Sequence, residues 1–156
     1  MQLIMVSCDN EFAFRNHYFG DSIEKVKQSE EDDGEMTEDN GKQTLLYSDI
    51  ELFDEYTGNL TFIFENNELL HIFEYMLYEN EEMEEVYNSI KSALSGYGKP
   101  DEETKDELVY KALWEKDEYG ITLIVMESSI IITFSSDSSK EKKFYSSLNI
   151  TDLLGD

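Results

Sequence analysis

The strongest periodic signal in the chain lies between residues 79 and 98, ENEEMEEVYNSIKSALSGYG. Met83, Val86, Tyr87, Ile90, Ala93, Leu94 and Tyr97 recur at the i, i+3, i+4, i+7 spacing that lines one face of an α-helix. Glutamates crowd its first turns, at the positive end of the helix dipole. Gly96 or Gly98 ends it, and Pro100 prevents its return. A shorter helix is predicted after Gly20, with Asp21 or Ser22 as N-cap, Glu24 in the first turn, and a fade near Glu30. Elsewhere the runs are short, branched and aromatic, as strands are: residues 44–53, 60–64, 69–77, a run around Trp114, 121–126 and 130–134. Asn66-Asn67 and Glu127-Ser128 each separate two such runs and predict hairpins, asparagine because it tolerates positive φ. The last two runs, ITLIVM and IIITF, are almost wholly apolar, which fits burial on both faces or one buried face plus a partner contact.

The tracts 30–41 and 101–107 are acidic and nearly without apolar residues, and read as loops. The tail FYSSLNITDLLGD reads as a short closing helix capped at Thr151. The opening MQLIMVSC has two readings: a first β-strand, or the end of a lipoprotein signal with Ser7 before Cys8. The lack of a positive n-region and of a full h-region favours the strand.

The two halves of the chain echo each other. Ser22-Ile23 and Ser89-Ile90 are 67 residues apart, as are Leu46-Tyr47 and Leu113-Trp114, while Leu60-Thr61-Phe62-Ile63 aligns with Ile121-Thr122-Leu123-Ile124 at an offset of 61. The expected fold is therefore α+β: one domain over 1–156, built from a duplicated α-β-β-β unit (about 12–78 and 79–139) with helices on antiparallel sheet, and a tail 140–156. The wording FGDSIEKVK, then YGKP ending a helix, then LW before ITLIV, resembles a broad group of small uncharacterised bacterial proteins. It is also faintly similar to the helix-then-sheet units of the SmpA/BamE and β-lactamase-inhibitor-protein type. That resemblance implies a binding module and not an enzyme, and it assigns no residue a role.

Charge changes the picture most. Thirty-six acids face twelve basic residues, for a net charge of −24, and Arg15 is the single arginine. Such a chain is repelled by nucleic acids and anionic membranes and is attracted to basic proteins and cations. Strong negative charge also serves solubility. Hydrophobic residues at 40% and aromatics at 13% still allow a real core. No segment is long enough to span a membrane.

Specific chemistry finds little support. An EF-hand loop centred on Gly34 or Gly41 lacks ligands at the required positions. His17, His71 and Cys8 are too few and too scattered for zinc, and Cys8 alone makes no disulfide framework. His71 reads as a packed or half-exposed strand residue. Paired carboxylates carry no information in so acidic a chain, and no nucleophile elbow, P-loop or dinucleotide fingerprint occurs. The expectation is no enzyme, no cofactor and no metal.

Strand aromatics such as Phe62, Phe64, Phe73, Tyr75 and Trp114 read mostly as core, with some tyrosines, interleaved with acids, forming an exposed face. The expected function is an acidic module that engages or neutralises a basic protein, as an immunity protein or inhibitor does. Its candidate partner-binding residues are Glu30, Glu31, Asp32, Asp33, Asp54, Glu55, Tyr56, Trp114, Asp117 and Tyr119. The loops 48–57 and 115–119 are expected on one edge, and charge reversal at Asp54, Glu55 and Asp117 is expected to weaken binding. The expected compartment is the cytoplasm; the alternative is an envelope lipoprotein anchored through Cys8. The sequence names neither the partner nor the oligomeric state.

Overall fold

The computed structural model describes residues 14–30, 33–53 and 55–147. Helix α1 (Ile23–Ser29) starts where Ser22 accepts the backbone N–H of Lys25, and it ends at Glu30. Four strands follow: β1 (Glu35–Asp39), β2 (Lys42–Leu52), β3 (Tyr56–Glu65) and β4 (Glu68–Leu77). Helix α2 (Met83–Ala93) and a 3-10 turn (Ser95–Tyr97) then lead into β5 (Glu102–Lys105), β6 (Val109–Glu115), β7 (Gly120–Met126), β8 (Ser129–Ser135) and helix α3 (Ser138–Ser147).

All eight strands lie in one antiparallel sheet, in the order β1-β2-β3-β4-β8-β7-β6-β5. Two four-stranded meanders thus meet along β4 and β8. Both expected hairpins form. Asn66 and Asn67 take φ of 56° and 62°, the left-handed pair that matches the twist of β3 and β4. Ser128, at φ 76°, turns β7 into β8.

Apolar residues oppose one another across the strands of both meanders. Leu45 opposes Phe62 and Phe62 opposes Ile72, while Ala112 opposes Leu123 and Leu123 opposes Ile132. At the seam, Ile72 opposes Phe134 and Glu74 opposes Ile132. Ser22 and Ser89 do not share a place: Ser22 caps α1, whereas Ser89 lies inside α2.

Alternation sorts the sheet into two faces. Leu45, Tyr47, Leu60, Phe62, Ile72, Met76, Trp114, Ile121, Leu123, Ile132 and Phe134 form one core with Val26 of α1 and with Val86, Tyr87 and Ile90 of α2. Helix α3 lies against the other face, touching β6, β7 and β8. There Thr122 and Thr133 each donate to Glu141 at 2.6 Å, and the Lys111 ammonium donates to the Tyr145 carbonyl at 2.9 Å. No helix covers β2, β3 and β4 on that side among the described residues.

Two acidic tracts expected as loops contain strands. EMTED is β1, all five of its residues exposed, and EETK is β5. Both are outer strands of the sheet. A strand there needs one neighbour's backbone and no buried side chain, so it carries no apolar alternation. Helices α1 and α2 are accordingly each followed by four strands and not three. The long helix is narrower than its apolar period, because 79–82 precede it and the 3-10 turn closes it. Lys140, Lys142 and Lys143 lie on α3. The readings of residues 1–8 and of a cap at Thr151 fall outside the described residues.

Candidate functional site

The structure does not bring the expected contact residues together. Trp114 is fully buried and donates its indole N–H to the Gly98 carbonyl at 2.9 Å. Tyr119 is 3% exposed and Tyr56 5%, the latter donating to Glu81 at 3.3 Å. Alternation turns Trp114 and Tyr56 to the helix-bearing core, and Tyr119, in the turn before β7, packs into the same core, so their aromatic surface is spent inside the protein. Asp33, Glu55 and Asp117 are exposed. Glu31, Asp32, Asp54 and Cys8 lie outside the described residues.

Nor do the two loops share an edge. β2 and β6 occupy matching places in their meanders, but the seam between β4 and β8 is antiparallel, which reverses one meander against the other. The β2–β3 turn therefore opens at the end where Leu77 opposes Ser129, and residues 116–119 open at the opposite end, where His71 opposes Ser135.

Glu30 is an interior ion-pair partner. Its carboxylate accepts two bonds from the Arg15 guanidinium, at 3.2 and 2.6 Å, and meets the imidazole Nε2 of fully buried His17 at 2.5 Å. Burial pushes the carboxyl up, but the hydrogen bonds from His17 and Arg15 and the charge beside them outweigh it and hold the group at about 2. The network pins the turn Phe14–His17 to the end of α1 and over Phe62, on which His17 packs edge-on.

Apart from Tyr18, the exposed aromatics among the described residues lie on β4. Along LLHIFEYML the ordinary reading places Phe73 and Tyr75 in the core and Glu74 in water. The structure has the reverse. Glu74 is fully buried with Ile72 and Met76, while Phe73 is 37%, Tyr75 39% and Leu77 59% exposed. The three exposed side chains form a stripe down the middle of the uncovered face, flanked by Thr61 and Asn59 of β3 and by Thr133 and Ile131 of β8. Exposed Glu35, Glu51 and Glu65 stand on the same side of β1, β2 and β3. Sequence reasoning named Tyr75 among the interleaved tyrosines but missed Phe73 and Leu77, because their alternation is that of core residues. The residue that marked them was Glu74, one acid within an apolar run.

Glu74 sits between Leu60 and Ile132 of the neighbouring strands, and neither carboxyl oxygen has a hydrogen-bond partner. Burial raises its pKa to about 8, with only a partial pull downward from Arg15. The group is thus a neutral acid at neutral pH. No cluster of metal-ligating side chains occurs among the described residues, and no described helix is long and apolar enough to cross a membrane. No family model, curated protein or solved structure matches this chain.

Proposed function

We propose that the chain is a non-enzymatic cytoplasmic binding protein that holds a basic protein partner on the open face of its sheet, in the manner of an immunity protein or inhibitor. The observation that carries this reading is the inversion on β4. A central strand that buries a carboxyl and exposes Phe73, Tyr75 and Leu77 works against its own folding stability. Such conflicts between local pattern and fold belong to functional surfaces. Aromatic side chains anchor interfaces, an acidic rim raises the rate of encounter with a basic partner, and the charge of −24 excludes acidic ones.

The same proposal includes descent from a duplicated unit. What supports it is register: the correspondence of Leu46-Tyr47 with Leu113-Trp114, and of Leu60 to Ile63 with Ile121 to Ile124, falls on matching strands and matching cross-strand pairs. The resemblance to tandem binding modules points the same way.

The test compares wild-type with a Phe73→Ser, Tyr75→Ser double variant, each tagged and exposed to source lysate at low and at moderate salt. One basic protein retained in stoichiometric amount by wild-type and lost by the variant is the expected result. Retention of nothing, or of a salt-sensitive smear alike in both, would mean that the charge serves solubility alone.

A further inference from the structure

At the end of the open face where α3 begins, a groove of about 490 Å³ lies between β2, β3, β4 and the first turns of α3. That size suits a small molecule. Its apolar walls are Ile63, Phe73 and Phe144. Its polar end is unusual for this chain: Lys42 and Lys140 both line it, with His71 beside them. Eleven lysines and one arginine serve a protein of net charge −24, so two lysines at one groove concentrate positive charge where the rest of the surface is negative.

Neither ammonium makes an ion pair with a described residue, whereas Lys91 and Lys142 are paired with Glu103 and Glu102. Both lysine charges reach the same spot. The His71 imidazole is held below its usual range first by burial, then by the charges of Lys140 and Lys42, against a weaker opposing effect of Asp137. Of the acids lining the groove, Glu141 is buried, hydrogen-bonded by Thr122 and Thr133, and pushed toward its neutral form by burial. Exposed Asp39 and Glu65 stand opposite Lys42 in the ladders with β1 and β3, and exposed Asp137 lies near Lys140, but none of the three forms an ion pair with either ammonium.

A convergent pair of unpaired cations at the end of an apolar groove is complementary to an anion carried on an apolar body. We propose that this groove binds a small amphipathic carboxylate, its head between Lys42 and Lys140 and its apolar chain along Ile63, Phe73 and Phe144. The groove shares Phe73 with the stripe proposed to hold a basic protein, but Lys42 and Lys140 take no part in that reading, so the lysine changes test this site alone.

The probe is sodium decanoate, titrated into the full chain and followed by amide chemical shifts, beside uncharged decanol and cationic decyltrimethylammonium. The net charge of the protein attracts the cation and repels the anion, so a preference for the anion runs against the global field. Saturable shifts around Thr44, His71 and Thr133 are expected with decanoate, with affinity at least tenfold above that for decanol or the cation. A Lys42→Gln, Lys140→Gln double variant is expected to lose at least tenfold in decanoate affinity while its melting temperature stays unchanged. Equal binding of decanol, tighter binding of the cation, indifference to the lysine changes, or no saturable decanoate binding each overturns the proposal.

Discussion

Replacing Glu74 by glutamine should make the protein more stable, by an amount that depends on pH. The carboxyl is fully buried, faces Leu60 and Ile132 across the strands, and has no hydrogen-bond partner for either oxygen. Its pKa rises from 4.5 in the unfolded chain to about 8 in the folded protein, because burial disfavours the charged form. The sign follows. Below pH 4.5 the group is protonated in both states, and its ionisation has no effect on folding. As pH rises from 4.5 toward 8, the unfolded chain releases the proton while the folded protein keeps it, so stability falls by about 1.4 kcal/mol per pH interval. The accumulated loss is about 3 kcal/mol at pH 7 and about 5 kcal/mol above pH 8. Glutamine has nearly the same shape and no proton to lose. Urea unfolding followed by far-ultraviolet circular dichroism, repeated from pH 4.5 to 8.5, gives the difference between Glu74→Gln and wild-type. That difference should be near zero at pH 4.5 and grow with the slope above, reaching a plateau past pH 8. Taking the difference removes the general repulsion of the other acids, which both proteins share. A difference that stays flat across this range would refute the reasoning, and would place the Glu74 carboxyl in contact with water or a partner group.

Three further outcomes test other parts of the structure. Glu30 acts in the opposite sense, since its folded pKa lies at about 2, below the unfolded 4.5: its stabilisation is present above pH 4.5 and is lost as pH falls toward 2. With a side chain 4% exposed, the acid limb of the wild-type stability curve should drop by about 3 kcal/mol on this account, and Glu30→Gln should flatten it in acid titrations of urea stability. Gly58→Ala should cost more than about 2 kcal/mol, because a β-carbon there would run into the Tyr75 carbonyl and lie 2.8 Å from the Met76 α-carbon; an unchanged melting curve would contradict the β3–β4 pairing. Trp114→Phe should cost about 2–3 kcal/mol from lost volume and an unpaired Gly98 carbonyl, as measured by chemical denaturation, and should leave partner binding unaltered.

The sequence by itself determined the elements that rest on local chemistry. Ser22 caps α1 because a hydroxyl beside an orphan N–H needs no tertiary help. Asn66-Asn67 turns β3 into β4 because asparagine accepts the left-handed region. The α2 period survived because one helix face meets one core. Only the tertiary structure decided the rest. β1 and β5 are strands because β2 and β6 offer them unpaired backbone, a fact about neighbours and not about EMTED or EETK. The face that Phe73 and Tyr75 occupy is set by pairing with β3 and β8, and a one-residue change of register reverses it, so alternation alone cannot orient β4. Trp114 and Tyr56 went inside for the same reason. The acids at the two loops were separated by the antiparallel seam, and the lysines of the groove were gathered from β2 and α3, which lie about a hundred residues apart in the chain and meet only through the sheet.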